Sequence, residues 1–264
     1  VMYHLKSVLA ACALLCSAPA SAATWGFSDL TASFLNVDGG QNVEIGAAGP
    51  STTLSWGRTP EGWPQSSYQF EGKTGLNSDT DGVLEIGTFT HMNNPIYGGS
   101  SISGTQLELT GRLQAMTSLG ITDLGTVTYL FDLDHWETPN NEDPCAAGGE
   151  APCPDLVTAT VSAAPALASV DGLYHEFEAL GFAPTLLEAA KGWMDTSFLS
   201  LENGSTSRVL AARVTQTQTS APLAVPLVGS SISLLSALAA LLLVSRGEPA
   251  WAAYRNRWRR SALA

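Results

Sequence analysis

The chain has 264 residues with 12 basic and 24 acidic side chains, a formal charge of −12 and a mean hydropathy of +0.11. The two ends carry half of the basic residues: without residues 1–22 and 221–264, six basic residues face 23 acidic ones, roughly −17. Such a balance excludes nucleic acid and anionic lipid surfaces as partners of the central part, and permits divalent cations.

Lys6 precedes an apolar stretch from Val8 to Leu15 and then Ala20-Ser21-Ala22, a small-residue cleavage pattern. Residues 1–22 are therefore predicted to form a secretory signal peptide, too short to span a bilayer. Residues 23–214 then read as short strands separated by turns, the composition of one all-β domain. The expected strands are Leu30 to Val37, Asn42 to Gly46, Thr52 to Trp56, Ser66 to Phe70 and Val83 to Phe89. Gln106 to Leu113 and Thr126 to Leu133 alternate with period two, which places Leu107, Leu109 and Leu113, and Val127, Tyr129, Phe131 and Leu133, on one face of each. Leu156 to Val161, Leu173 to Phe177, Phe198 to Glu202 and Ser207 to Thr215 complete the set, the last two read as a hairpin about Asn203-Gly204. Only Thr185 to Trp193, after Pro184, has a helical pattern. Strands without βαβ alternation predict an antiparallel β-sandwich or jelly-roll-like ectodomain with one short helix. A helical signal segment is expected before it and a transmembrane helix after it.

Cys145 and Cys153 are an even pair in an exported chain and predict a disulfide across a small loop. Residues 215–220 read as a polar linker. From Ala221 to Val244 no side chain is charged, and Arg246, Arg255, Arg257, Arg259 and Arg260 follow. About 20 apolar residues span a bilayer core, and a basic cluster beyond them keeps the tail cytoplasmic. The expected location is the inner membrane, the cell surface or the extracellular space, with the ectodomain outside.

Val225-Pro226-Leu227, the apolar span and the Arg cluster resemble the tripartite sorting signal of PEP-CTERM proteins. Thr90-His91-Met92-Asn93, Glu137-Thr138-Pro139-Asn140, Cys153-Pro154-Asp155 and Asp171-Gly172-Leu173-Tyr174, in that order, resemble the THxN family of such proteins and the related choice-of-anchor K domain. The resemblance covers Trp25 to Val214. It implies an exported domain on an interchangeable anchor, a sorting protease of the exosortase type as a partner, and no enzymatic activity.

The candidate site residues fall into four groups. His91 and Asn93 are expected in a loop after a strand, either as ligand-facing donors or as groups that satisfy the backbone before Pro95. Asp79 and Asp81 lie in a polar loop with a glycine at the turn, and Asp132, Asp134 and Glu137 form a second acidic group; both are candidate calcium ligands, the first without the glutamate that closes a full calcium loop. Trp56, Trp63 and Trp136 have the flat faces used by carbohydrate sites, and equally fill sandwich cores. His91, His135 and His175 with Asp134 are zinc-type ligands that no spacing brings together. There is no G-x-S-x-G elbow and no H-E-x-x-H. The function expected is a non-catalytic envelope or extracellular-matrix component anchored at a membrane or surface; the alternative is a calcium-assisted module that binds exopolysaccharide.

Overall fold

The computed structural model describes residues 23–79, 82–162, 166–170 and 173–218. The expected signal peptide, the apolar span with Val225, Pro226 and Leu227, and Asp81 lie outside the described residues, as do Asp171 and Gly172. None of the helices among the described residues is long and apolar enough to cross a membrane.

The domain is all-β and antiparallel, in two sheets. The first sheet contains β1 (Thr24–Gly39), β5 (Gly75–Leu76), β7 (Ile102–Thr117), β8 (Gly120–Trp136), β9 (Asp155–Val161) and β12 (Ser197–Ser200), in the order β12-β9-β8-β7-β1-β5. The second contains β2 (Glu44–Ala48), β3 (Ser51–Trp56), β4 (Ser66–Gly72), β6 (Val83–Asn93), β10 (Ala166–Val170), β11 (Leu173–Ala183) and β13 (Gly204–Gln218), in the order β10-β11-β13-β6-β4-β3-β2. The one helix, α1 (Leu186–Ala190), is capped by the Thr185 hydroxyl, which accepts the Glu188 amide.

Alternation makes the sheets and the core together. In β7 every second residue, Leu107, Leu109 and Leu113 among them, is buried, and in β8 the same holds for Tyr129, Phe131 and Leu133. Their partners come from the facing sheet: Phe27 meets Phe177 edge-on with centroids 5.5 Å apart, Tyr129 lies 5.9 Å from Phe177 and Phe131 lies 6.4 Å from Phe182. Burying a large apolar side chain in this way contributes about 1.5–3 kcal/mol each. The inner face is therefore a continuous aromatic and aliphatic layer between two sheets, the sandwich expected from the pattern.

Four features depart from the expectation. Residues 215–218, expected as part of a polar linker, continue β13 and pair with β11. Asn203 is left-handed (φ 58°), but β12 and β13 do not pair: β12 lies beside β9, and β13 between β6 and β11. The Asn-Gly turn thus carries the chain from one sheet to the other. The Thr90 to Asn93 stretch is not a loop. It is the end of β6, with Tyr68 opposite His91 on one side and Thr206 on the other. Finally, β5 and β10 were not foreseen; the first is two residues long, and the second is an edge strand with exposed Leu167.

Candidate functional site

At one end of the sandwich the apolar layer gives way to a buried polar cluster. Period two sets its composition. Along β6, His91 and Asn93 point inward while Thr90 and Met92 point out, and Thr90 Oγ1 lies 2.8 Å from Ser207 Oγ on the outer surface. Along β8 the inward series Tyr129, Phe131, Leu133 continues to His135. In β9 the inward residue before Val157 is Asp155, and opposite it in β12 stands Ser200. Tyr68 of β4 and Trp56 of β3 close the side nearest the core. His91, Asn93, Asp155, Ser200, Tyr68 and Trp56 are all fully buried, and His135 nearly so.

His91 Nδ1 or Nε2, a His135 ring nitrogen and a carboxylate oxygen of Asp155 all lie within 4.8 Å of one another. His135 is oriented at its Nδ1, 2.7 Å from the Tyr68 hydroxyl. Its Nε2 faces carboxylates, 3.5 Å from Glu137 Oε2 and 3.8 Å from Asp155 Oδ2. Asp155 is held at its other oxygen: Oδ1 accepts the Thr138 amide at 3.0 Å, and the Thr138 hydroxyl donates to the Pro154 carbonyl at 2.9 Å. Asn93 Nδ2 donates to the Ser200 carbonyl at 3.0 Å. The rings pack closely. Trp56 stacks on His91 at 5.7 Å and 21°, and the two imidazoles meet edge-on at 5.2 Å.

Several buried polar atoms here have no hydrogen-bond partner among the described residues. Both ring nitrogens of His91 are unpaired, and so is Asp155 Oδ2. Native interiors leave few such atoms. The electrostatics point the same way. Burial, then the neighbouring His135, holds the His91 pKa well below the ordinary imidazole range. Burial and the nearby Glu137 push Asp155 up to about 8, against the opposing Thr138 amide. Glu202, at the exit of β12, is pushed up by burial and by Glu137. Tyr68 is raised by burial and by Asp155, Glu137 and Asp134. Two buried carboxylates and the partly exposed Glu137 thus lie close together, while the Arg and Lys ion pairs among the described residues are elsewhere: Arg112 with Asp123, Lys191 with Glu188 and Arg208 with Asp195.

The sequence-predicted residues divide on this geometry. His91, Asn93, Trp56, His135 and Glu137 are brought together. His175 is not; it packs on Trp25, 4.8 Å between centroids. Asp134 is exposed on the outer face of β8, so the carboxylate beside the histidines is Asp155. Asp132 is engaged by Gln106 and Ser162, and Asp79 accepts the Val83 amide at 2.8 Å. Trp63 and Trp136 are about half exposed (54% and 49%), whereas Trp56 presents no face to solvent. Cys145 and Cys153 form a disulfide, with their Cα atoms 5.4 Å apart, in the loop between β8 and β9 that delivers Thr138 and Asp155. Asp155 and Glu202 were missed as site residues; extending the alternation of β9 by one step would have found the first.

An open groove lined by Asn42, Arg58, Gln65 and Tyr97 lies outside this cluster. Against known proteins, no family model matches the chain and no curated protein matches its sequence.

Proposed function

We propose that the chain is an exported, non-catalytic component of the cell envelope or extracellular matrix, whose β-sandwich is presented outside the membrane by its C-terminal segment. The observation that carries this reading is the Cys145–Cys153 disulfide in the loop after β8. Such bonds persist in oxidising compartments and are rare where thiols are kept reduced. The signal-like N-terminus supplies a route to that compartment. The apolar span with its arginines supplies an anchor or a handle for an exosortase-type protease. The acidity of the central domain is that of a soluble, presented surface. In cells converted to spheroplasts, added protease should digest the domain while cytoplasmic markers survive, and Cys145 and Cys153 should resist a thiol reagent until reduced. Protection from protease together with free thiols would refute the reading.

A second reading, an exopolysaccharide-binding module, has exposed Trp63 and Trp136 in its favour. Quenching of tryptophan fluorescence by acidic and neutral polysaccharides tests it, with Trp63→Ala and Trp136→Ala as the controls that should lose the signal.

A further inference from the structure

We propose that His91, His135 and Asp155 bind one divalent transition-metal ion of the zinc class, which cross-links the two sheets of the sandwich. Glu137 is the neighbouring carboxylate placed to complete the set. The proposal concerns the interior of the domain and does not depend on where the chain is presented.

The first support is convergence across the fold. His91 comes from β6 in one sheet; His135 and Asp155 come from β8 and β9 in the other. Their ligand atoms lie within 4.8 Å of one another. Ligands about 2.0–2.2 Å from a tetrahedral zinc stand roughly 3.3–3.6 Å apart. Closing that gap takes a movement of about 1.2–1.5 Å at most, shared among the three side chains.

The second support is how the other atoms of each ligand are used. His135 is fixed at Nδ1 by the Tyr68 hydroxyl, which leaves Nε2 toward the carboxylates. Asp155 is fixed at Oδ1 by the Thr138 amide, which leaves Oδ2 without a hydrogen bond, 3.8 Å from His135 Nε2. Metal-ligating histidines and carboxylates are oriented by such outer contacts. His91 is the third member, fully buried, stacked on Trp56 and without a partner at either nitrogen. A proton shared between Asp155 and His135 would relieve the carboxylate. It would leave both His91 nitrogens unpaired, whereas a metal would take one of them together with a His135 nitrogen and Asp155 Oδ2.

The third support is charge and donor type. Asp155, Glu137 and Glu202 lie close together with no Arg or Lys paired to them among the described residues. Two imidazoles with carboxylates select zinc-class ions over calcium, which takes six or more oxygens. His91, His135 and Asp155 are buried and only Glu137 is partly exposed, the setting of a structural rather than a catalytic site.

The test uses the full chain, purified without chelator. Elemental analysis should find about one zinc-class ion per chain. After stripping with chelator, zinc at a hundredfold excess over its Kd should raise Tm by about 5–10 °C. His91→Leu removes two unpaired nitrogens and is expected to keep the fold; it and Asp155→Asn should lose both the ion and the shift. X-ray absorption on the wild-type metal protein should show two imidazoles at about 2.0 Å, independently of any variant. No bound metal and no shift with zinc, cobalt, nickel, manganese or iron(II) would overturn the proposal. So would a shift with calcium alone, or a zinc shift that survives in His91→Leu.

Discussion

His91→Leu in the metal-free protein separates a metal site from an ordinary buried histidine. In the fold both nitrogens of His91 are buried without a partner, in contact with Trp56, Tyr68 and His135. Each unsatisfied buried polar atom costs about 1–3 kcal/mol relative to water, while an apolar side chain of similar volume incurs no such cost. Leucine keeps the packing against Trp56 within the range of volume-conserving core exchanges, below about 1.5 kcal/mol. The net expectation is a variant more stable than wild type by about 1–3 kcal/mol when chelator is present. Excess zinc moves the difference toward wild type by about 2.7 kcal/mol at a hundredfold excess over Kd, because only wild type gains the binding term. Urea unfolding followed by tryptophan fluorescence, with and without zinc, reads both values. A variant that is less stable than wild type in chelator by more than about 1 kcal/mol would refute the reasoning, since it would mean that the His91 nitrogens are satisfied without metal.

Further outcomes follow from the same structure. Reducing the Cys145–Cys153 bond, whose partners are 8 residues apart, should cost about 2.6 kcal/mol by loop entropy, seen as a lower urea midpoint with reductant. Phe89→Ala removes a ring that lies 4.9 Å from Tyr68 and 5.1 Å from Phe182, and should cost about 3–5 kcal/mol in the same assay. Burial lowers the His175 pKa below its ordinary value, so the folded chain resists a proton that the unfolded chain accepts. Stability is therefore present above about pH 6.5 and falls as pH drops below it toward the folded value; His175→Gln should flatten a thermal-melt profile over that window.

Period two carried most of the legible information. It marked β7 and β8 because Leu107, Leu109, Tyr129, Phe131 and Leu133 recur on one face over long strands. The same rule, extended by one step, turns His135 inward after Leu133 and Asp155 inward before Val157. It also makes Thr-His-x-Asn a strand motif, with His91 and Asn93 on the buried face. Reading that stretch as a loop followed from Asn94-Pro95, yet the proline only ends β6 there. What no local pattern contained was the meeting of residues 91, 135 and 155. It depends on β6 facing β8 and β9 across the core, and on a loop closed by the disulfide that returns the chain beside Thr138. The Asn203-Gly204 turn shows the same limit: the dipeptide fixes the left-handed backbone but not whether the strands around it share a sheet. The calcium reading rested on a polar loop with a turn glycine and on a second acidic cluster. In the fold Asp132 is occupied by Gln106 and Ser162, while Asp134 stays on the outer face.

The central claim, that this β-sandwich works outside the cytoplasm, is tested most directly by the intact mass of the chain recovered from cells under non-reducing conditions. The account predicts a mass without residues 1–22 and a further shift of two hydrogens on reduction, from Cys145 and Cys153. A chain that keeps its N-terminal segment and shows no shift on reduction would contradict it.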